Sequence, residues 1–491
     1  FKVKLGRDER YLKDEQSLKD YTLSVALKDA EVVEIPASQI QSIVDAAVAA
    51  ALAQLSSTVN TLSPTIAQAA ADAATAAVAA GLSGQADVID AAVKGALEAQ
   101  AAADAAAAAA AASNLIESVG AAGGVTFIDG STNWTNDRIW TINGKVVVRS
   151  GGVLNIQAGT IVKAYDGTGV DATVLVIAAG GQINAIGTAE APIIFTDIKD
   201  EITYSDNGVS PNRVPSDMGK WGSIVVLGNA IVGEDGGTDD IEGIADGFTW
   251  TQYGGSNAAD NSGRLEYLSV RHSGQEIAPN NELQAITFGG VGSGTTVQNI
   301  EIIGSQDDGI EIFGGSVNVT NLIIHYNGDD AIDLDEGYSG TIDNAVLVMN
   351  TMTDGAFEID GTEDSTGAIT GEFTVQNVTV YGQATQDDTN QYGTWKSGAT
   401  GLTKNVVFKS FNTGTTMEQV HSNYAGKGTA TASGQLLFDD FDFVTSDTIA
   451  TIFAAVTSVV TDASTWAESV ASQVSGTGAD ETVFSWCQYY K

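Results

Sequence analysis

Two pairs of aspartates sit in matching contexts: Asp307-Asp308-Gly309-Ile310-Glu311 and, 22 residues later, Asp329-Asp330-Ala331-Ile332-Asp333. Gly355-Ala356-Phe357-Glu358 is a looser third copy. Acid pairs that recur in register suit two kinds of chemistry. Glycosidic cleavage needs two carboxyl groups flanking one bond. A divalent cation such as Ca2+ needs several hard oxygen ligands on Gly-punctuated turns. Candidate Ca2+ ligands are Asp166 with Asp171, the pairs Asp307/Asp308 and Asp329/Asp330, and Asp333, Asp335 and Glu336. Asp235 with Asp239 and Asp240 is a further group. None matches an EF-hand loop, and a hydrated acidic turn surface would read the same way.

Other chemistries lack their residues. His272, His325 and His421 are too far apart in sequence to suggest a metal site. Cys487 is the single cysteine, so neither an intrachain disulfide nor a thiolate cluster can form. Gly289-Gly290-Val291-Gly292 is followed by no helix pattern and reads as a turn, not a phosphate loop. With 62 acidic and 22 basic residues the net charge is −40, which excludes a nucleic-acid partner. Copies of so acidic a chain repel unless salt or divalent cations intervene. No stretch reads as a transmembrane segment, since the Ala run at 101–112 is short and carries Asp104.

Several elements must position these acids. Residues 1–36 form a mixed, charged arm in which Tyr21, Leu23, Val25 and Leu27 alternate as in a strand. Its basic residues suit an acidic cell-surface polysaccharide or lipopolysaccharide, and a free strand could pair with another subunit. Residues 37–124 are Ala-rich and predict helices. Ser38 and Gln41 fit a capping box, Ser63-Pro64 opens a second helix, and a third spans about 86 to 118. Residues 125–435 contain an internal repeat. Asn299, Asn321 and Asn344 recur at 22 and 23 residues within short apolar runs, and Asn377 and Asn405 follow after insertions. That period, with several short strands and no intervening helix, predicts a coil of a solenoid whose apolar face is buried only by stacking. The asparagines should stack and link through their amides. Long excursions interrupt the pattern at 197–220 and 233–262. Residues 436–491 predict a cap, with an amphipathic stretch from Ile449 to Val474.

Within the repeat, Gly187-Thr188-Ala189-Glu190-Ala191-Pro192-Ile193-Ile194-Phe195-Thr196, Trp221-Gly222-Ser223-Ile224-Val225-Val226-Leu227-Gly228-Asn229, Tyr253-Gly254-Gly255-Ser256, Gly289 to Thr295 and Asp307 to Gly315 resemble segments of secreted bacterial parallel β-helix surface proteins. The resemblance covers about 125–440. It implies a mainly β protein, a right-handed parallel β-helix behind an Ala-rich helical region, and export. It names no catalytic residue. A chain starting at Phe1 fits a processed export. The paired aspartates also look like those of β-helix polygalacturonases, but the Gly-His-Gly and Arg-x-Lys segments of those enzymes are missing. The expectation is therefore an extracellular structural protein at the bacterial cell surface, self-assembling as a surface layer or fibre with Ca2+, and not an enzyme. The alternative is a polysaccharide-active enzyme or a glycan-binding adhesin on the same scaffold.

Overall fold

The computed structural model describes residues 2–5, 8–11, 115–245, 247–278, 281–367, 369–383 and 391–487. The chain divides into units spanning Phe1–Ala105 and Ala106–Lys491. In the first, Lys2–Leu5 pairs antiparallel with Asp8–Tyr11. The strand expected at 21–27, and the helices expected up to residue 114, lie outside the described residues.

The second unit is a parallel β-helix whose 24 strands belong to one continuous sheet system wound around three faces. Alternation explains each coil. In Ile310–Phe313, Ile332–Asp335 and Phe357–Ile359 every second residue is apolar, and these residues stack in register. Ile310, Ile332 and Phe357 form one inward row, and Ile312, Leu334, Ile359 and Trp395 another; all are fully buried. Each such side chain contributes about 1.5–3 kcal/mol only when the next coil covers it. No single coil can therefore be stable alone.

The asparagine series is the corner between two faces. Residues before Asn299 pair with the first halves of the two flanking strands and residues after it with their second halves, while Asn299 itself is skipped in the ladder. Asn299, Asn321, Asn344, Asn377 and Asn405 have φ of 56, 58, 64, 58 and 52°. Asn tolerates this left-handed conformation better than most residues, so one residue turns the strand. The Asn321 amide donates to Asn299 Oδ1 at 2.9 Å, Asn344 to Asn321 at 2.7 Å, and Asn405 to Asn377 at 2.6 Å. The ladder is broken once, where Asn377 donates to Asp343 Oδ1 instead.

One boundary differs from expectation. The first strand of the column is Ile116–Ile128, which takes in the last residues assigned to the Ala-rich helical block. At the other end, Ala467–Val470 pairs with Phe441–Val444, and Phe453 and Trp466 are buried in the main core. The chain then continues along the column's side. There Gly478 N–H donates to Asn405 Oδ1, Asp480 N–H donates to Asn344 Oδ1, and Phe484 and Trp486 pack near Ile323 and Val346. No helix among the described residues is long and apolar enough to cross a membrane.

Candidate functional site: an acid row on one sheet

The face that carries the acids changes character along the column. Its early strands point Val147, Val174, Val176, Val225 and Leu227 outward, and the excursion after Leu227 covers them with Ile241, Ile244, Trp250 and Tyr253. Its later strands point carboxylates outward. Thr287, Glu311, Asp333, Glu358 and Thr394 lie opposite one another on five successive strands. Adjacent strands stand about 4.8 Å apart, so the three acids form a row at that spacing. The turns leading into these strands add Asp307 and Asp308, then Asp329 and Asp330, then Asp354. Consecutive turns are stitched together. Asp330 N–H donates to Asp308 Oδ1 at 2.8 Å, and Asp354 N–H donates to the Asp329 carbonyl at 2.9 Å.

The row is walled by residues from far away in sequence. Gln284 donates to Glu242 Oε1 at 2.8 Å and to Asp307 Oδ2 at 3.4 Å, and its own oxygen accepts from Thr287. Glu242 belongs to the long excursion, and burial, followed by the neighbouring Glu282 charge, raises its pKa. Lys396 pairs with Glu358 and lies 3.5 Å from Asp360. Glu358 and Asp360 are the only partners of Lys396 in the ion pairs among the described residues, and the acids on its other side are left to one another.

Burial and mutual repulsion shape the titration of this cluster. Burial, then Asp329, Glu282 and Glu242, pushes Asp307 up to about 7. Asp308 is also raised well above the usual carboxylate range, by burial and then Asp333. Glu311 is raised by burial, Asp333 and Glu242, and Asp333 by burial, Glu358 and Asp335. Asp330 is raised by burial and by a hydrogen bond shared with Glu358. Asp335 rises to about 7 through burial and the charge of Asp360. Burial pushes the Lys396 ammonium down, but Glu358, Asp360 and Asp333 outweigh it and hold it charged.

A cation fits this arrangement. Asp308, Glu311 and Asp333 each offer an oxygen within 4.8 Å of the others. Glu311 is 6% exposed, yet its Oε2 has no hydrogen-bond partner, and neither does the buried Oδ1 of Asp333. Orphaned buried carboxylate oxygens cost more than a kcal/mol each, about 1–3 or more for charged groups, unless something fills the space between them. An all-oxygen donor set suits Ca2+. Asp329, Asp330 and Asp354 form a second such group, and Glu234, Asp239 and Glu336 a third.

The other candidates from sequence are placed elsewhere. Asp166 is exposed and pairs with Lys199 at 2.6 Å. Asp171 ends the short turn Gly169–Asp171. Neither belongs to a close carboxylate group among the described residues. Asp235 accepts from Ser365, and Asp240 from Thr251. Asp335 stands outward opposite Phe313, on the same sheet as the row. Arg271 and His272 lie on a different face, where Arg271 meets Glu301 and His272 Nδ1 bonds to the Asp217 carbonyl. Sequence reasoning did not nominate Glu311, Glu358, Asp354, Glu242 or Lys396. The signal for the first two was present: an acid between two apolar residues, at the same point of successive repeats.

A family profile described as a pectate-lyase-like β-helix domain matches residues 126–491. A second, described as the GyrB hook, matches residues 1–27 only and carries no argument. No curated protein and no solved structure matches the chain. The first match corrects the expectation that the chain is not an enzyme. The missing polygalacturonase segments argued against catalysis, but a pectate-lyase-like domain covers residues 126–491 and overturns that inference.

Proposed function

The chain belongs to the pectate-lyase-like β-helix family, and on that footing we propose that it cleaves an acidic polysaccharide laid across the acid row, with a divalent cation held by Asp308, Glu311 and Asp333. The observation that supports this most is the pair of orphaned, buried carboxylate oxygens on Glu311 and Asp333. Bare, the row would repel a polyanion; a bound Ca2+ would offset much of that charge locally and offer open coordination to a sugar carboxylate.

The chain's own groups supply proton chemistry beside that cation. Asp307, held at about 7, is partly protonated at neutral pH and half-buried, so it can donate to a leaving glycosidic oxygen. Asp329 stands exposed on the next coil, about one strand spacing away, where its carboxylate can attack the anomeric carbon as the bond to the leaving oxygen breaks, water then hydrolysing the glycosyl ester. A polymer of this kind is too large to enter a cell, which favours a site of action outside it. The test is a panel of polyuronates and neutral glucans, assayed for new reducing ends with Ca2+ and with a chelator. Cleavage of polyuronates in Ca2+ alone is expected. No cleavage of any polymer under either condition would remove the proposal.

Self-assembly at the cell surface is a second reading, favoured by one observation. Strand Ile116–Ile128 pairs on one side with Ile139–Val148, and no strand among the described residues pairs with its other edge. Leu115, Ile116, Val125 and Phe127 are exposed there. Such an edge invites a second copy. Sedimentation should show association that strengthens with Ca2+ and weakens in Phe127→Lys. Monomers at high concentration in both proteins would discard this reading.

A further inference from the structure

Glu336 follows the strand Ile332–Asp335 and is held in the left-handed region at φ 47°. It is 5% exposed. Its Oε1 accepts from the Tyr253 hydroxyl at 2.5 Å, and its Oε2 has no partner. Tyr253, Glu234 and Asp239 all come from the excursion that follows Leu227. Glu234 and Asp239 each bring an oxygen within 4.8 Å of an oxygen of Glu336. None of the ion pairs among the described residues includes any of the three acids. Three carboxylates therefore converge on one point, with one deeply buried oxygen left over and a phenol fixing the orientation of the group that carries it.

We propose that Glu234, Asp239 and Glu336 form a second divalent-cation site, which pins the excursion to the column and so keeps Glu242 seated against Gln284. The sequence offered no direct route to it, because Asp239 and Glu336 belonged to separate candidate groups and Glu234 to none. Hard oxygen ligands from two chain segments are what Ca2+ takes, and the hydrogen bond from Tyr253 serves as its outer support. The ion completes a seam that backbone bonds already begin. Gly233 N–H donates to the Glu336 carbonyl at 2.7 Å, and Ser365 N–H donates to Asp235 Oδ1 at 2.9 Å. Beyond the site, Asp239–Asp240 pairs with Gln252–Tyr253, and Glu242 follows directly toward Gln284. Loss of the ion would release the ribbon at its open end. The site itself does not depend on the glycan reading; only its consequence for Glu242 does.

Calcium titration of the full chain by calorimetry, with limited chymotrypsin digestion, tests this. The excursion carries Phe248, Trp250 and Tyr253 as cleavage points. Excess Ca2+ should slow cleavage there at least tenfold. Asp239→Asn, at an exposed position that should not disturb folding, should bind one ion fewer and lose the protection. Glu311→Gln/Asp333→Asn should lose a different ion and keep the protection. If Asp239→Asn binds as many ions as the parent and is equally protected, the second site is refuted. If the double variant loses the protection as well, the excursion is held by the acid row instead and the proposal also fails.

Discussion

Freed of divalent cations, the protein should become less heat-stable as pH rises from about 6.5 to about 8, and saturating Ca2+ should remove most of that slope. An unfolded aspartate ionises near pH 3.9. In the folded column Asp307 and Asp335 ionise at about 7 and Glu336 at about 8, while Asp308, Glu311, Asp330 and Asp333 lie well above their ordinary range. Over that interval the native state binds more protons than the unfolded state, so stability falls as pH rises. Below about pH 4 both states are protonated and the cost vanishes. The buried His272 and His325 act in the opposite sense, because burial depresses their pKa values and their contribution grows as pH rises toward 6.5. These two imidazoles offset part of the acids' slope below that point and none of it above, so the interval from about 6.5 to about 8 reads the acids alone. Discounted for coupling between the groups, the loss is about 3 kcal/mol, on the order of 5 °C in Tm for a column of this size. Calorimetric scans in chelator at pH 6.5, 7.2 and 8 would check it, and a melting temperature that holds or rises across them would refute it.

The column was legible because its period is enforced by stacking. An Asn that turns a strand must recur wherever the next coil turns, so 299, 321 and 344 announced both the period and the corner. The same logic exposed the inward rows, since Ile310, Ile332 and Phe357 each precede an acid and an apolar residue. The strand Ile116–Ile128 was not legible. Its Ser118-Val119-Gly120-Ala121-Ala122-Gly123-Gly124 segment continues the Ala-rich composition before it, and helix propensity is a local quantity. What makes it a strand is pairing with Ile139–Val148, bridged by glycines at φ 89° and 65°, and no local pattern reports that.

The acid row was half legible for a related reason. Asp307, Asp308, Asp329, Asp330 and Asp333 stand in the repeat itself. Glu242 and Gln284 reach them from an excursion and a turn, and Lys396 follows a two-residue strand after a long insertion. Their approach is a property of the fold. The Gly-His-Gly and Arg-x-Lys segments of polygalacturonases are contiguous motifs. In a solenoid, register can bring chemistry together with no such segment.

The largest effect should come from Asp333→Asn combined with Glu311→Gln. Both replacements keep shape and remove charge from a half-buried and a buried position that face each other. Affinity for Ca2+ at this site should fall at least 100-fold, as expected when two of three anionic ligands are lost, and polyuronate cleavage should fall with it. Stability in chelator should move the other way. The charges repel each other and sit out of water without a partner, so neutral amides that can hydrogen-bond should raise Tm by several degrees at pH 8. A structural role would behave differently: truncating a neighbouring inward residue, as in Ile332→Ala, should cost about 2–5 kcal/mol and spare cation chemistry in whatever fraction remains folded. Lower melting temperatures together with unchanged Ca2+ binding in the double variant would show that the row exists to hold the column. Higher melting temperatures with cation binding and cleavage both lost would show that the column gives up stability to keep the row charged.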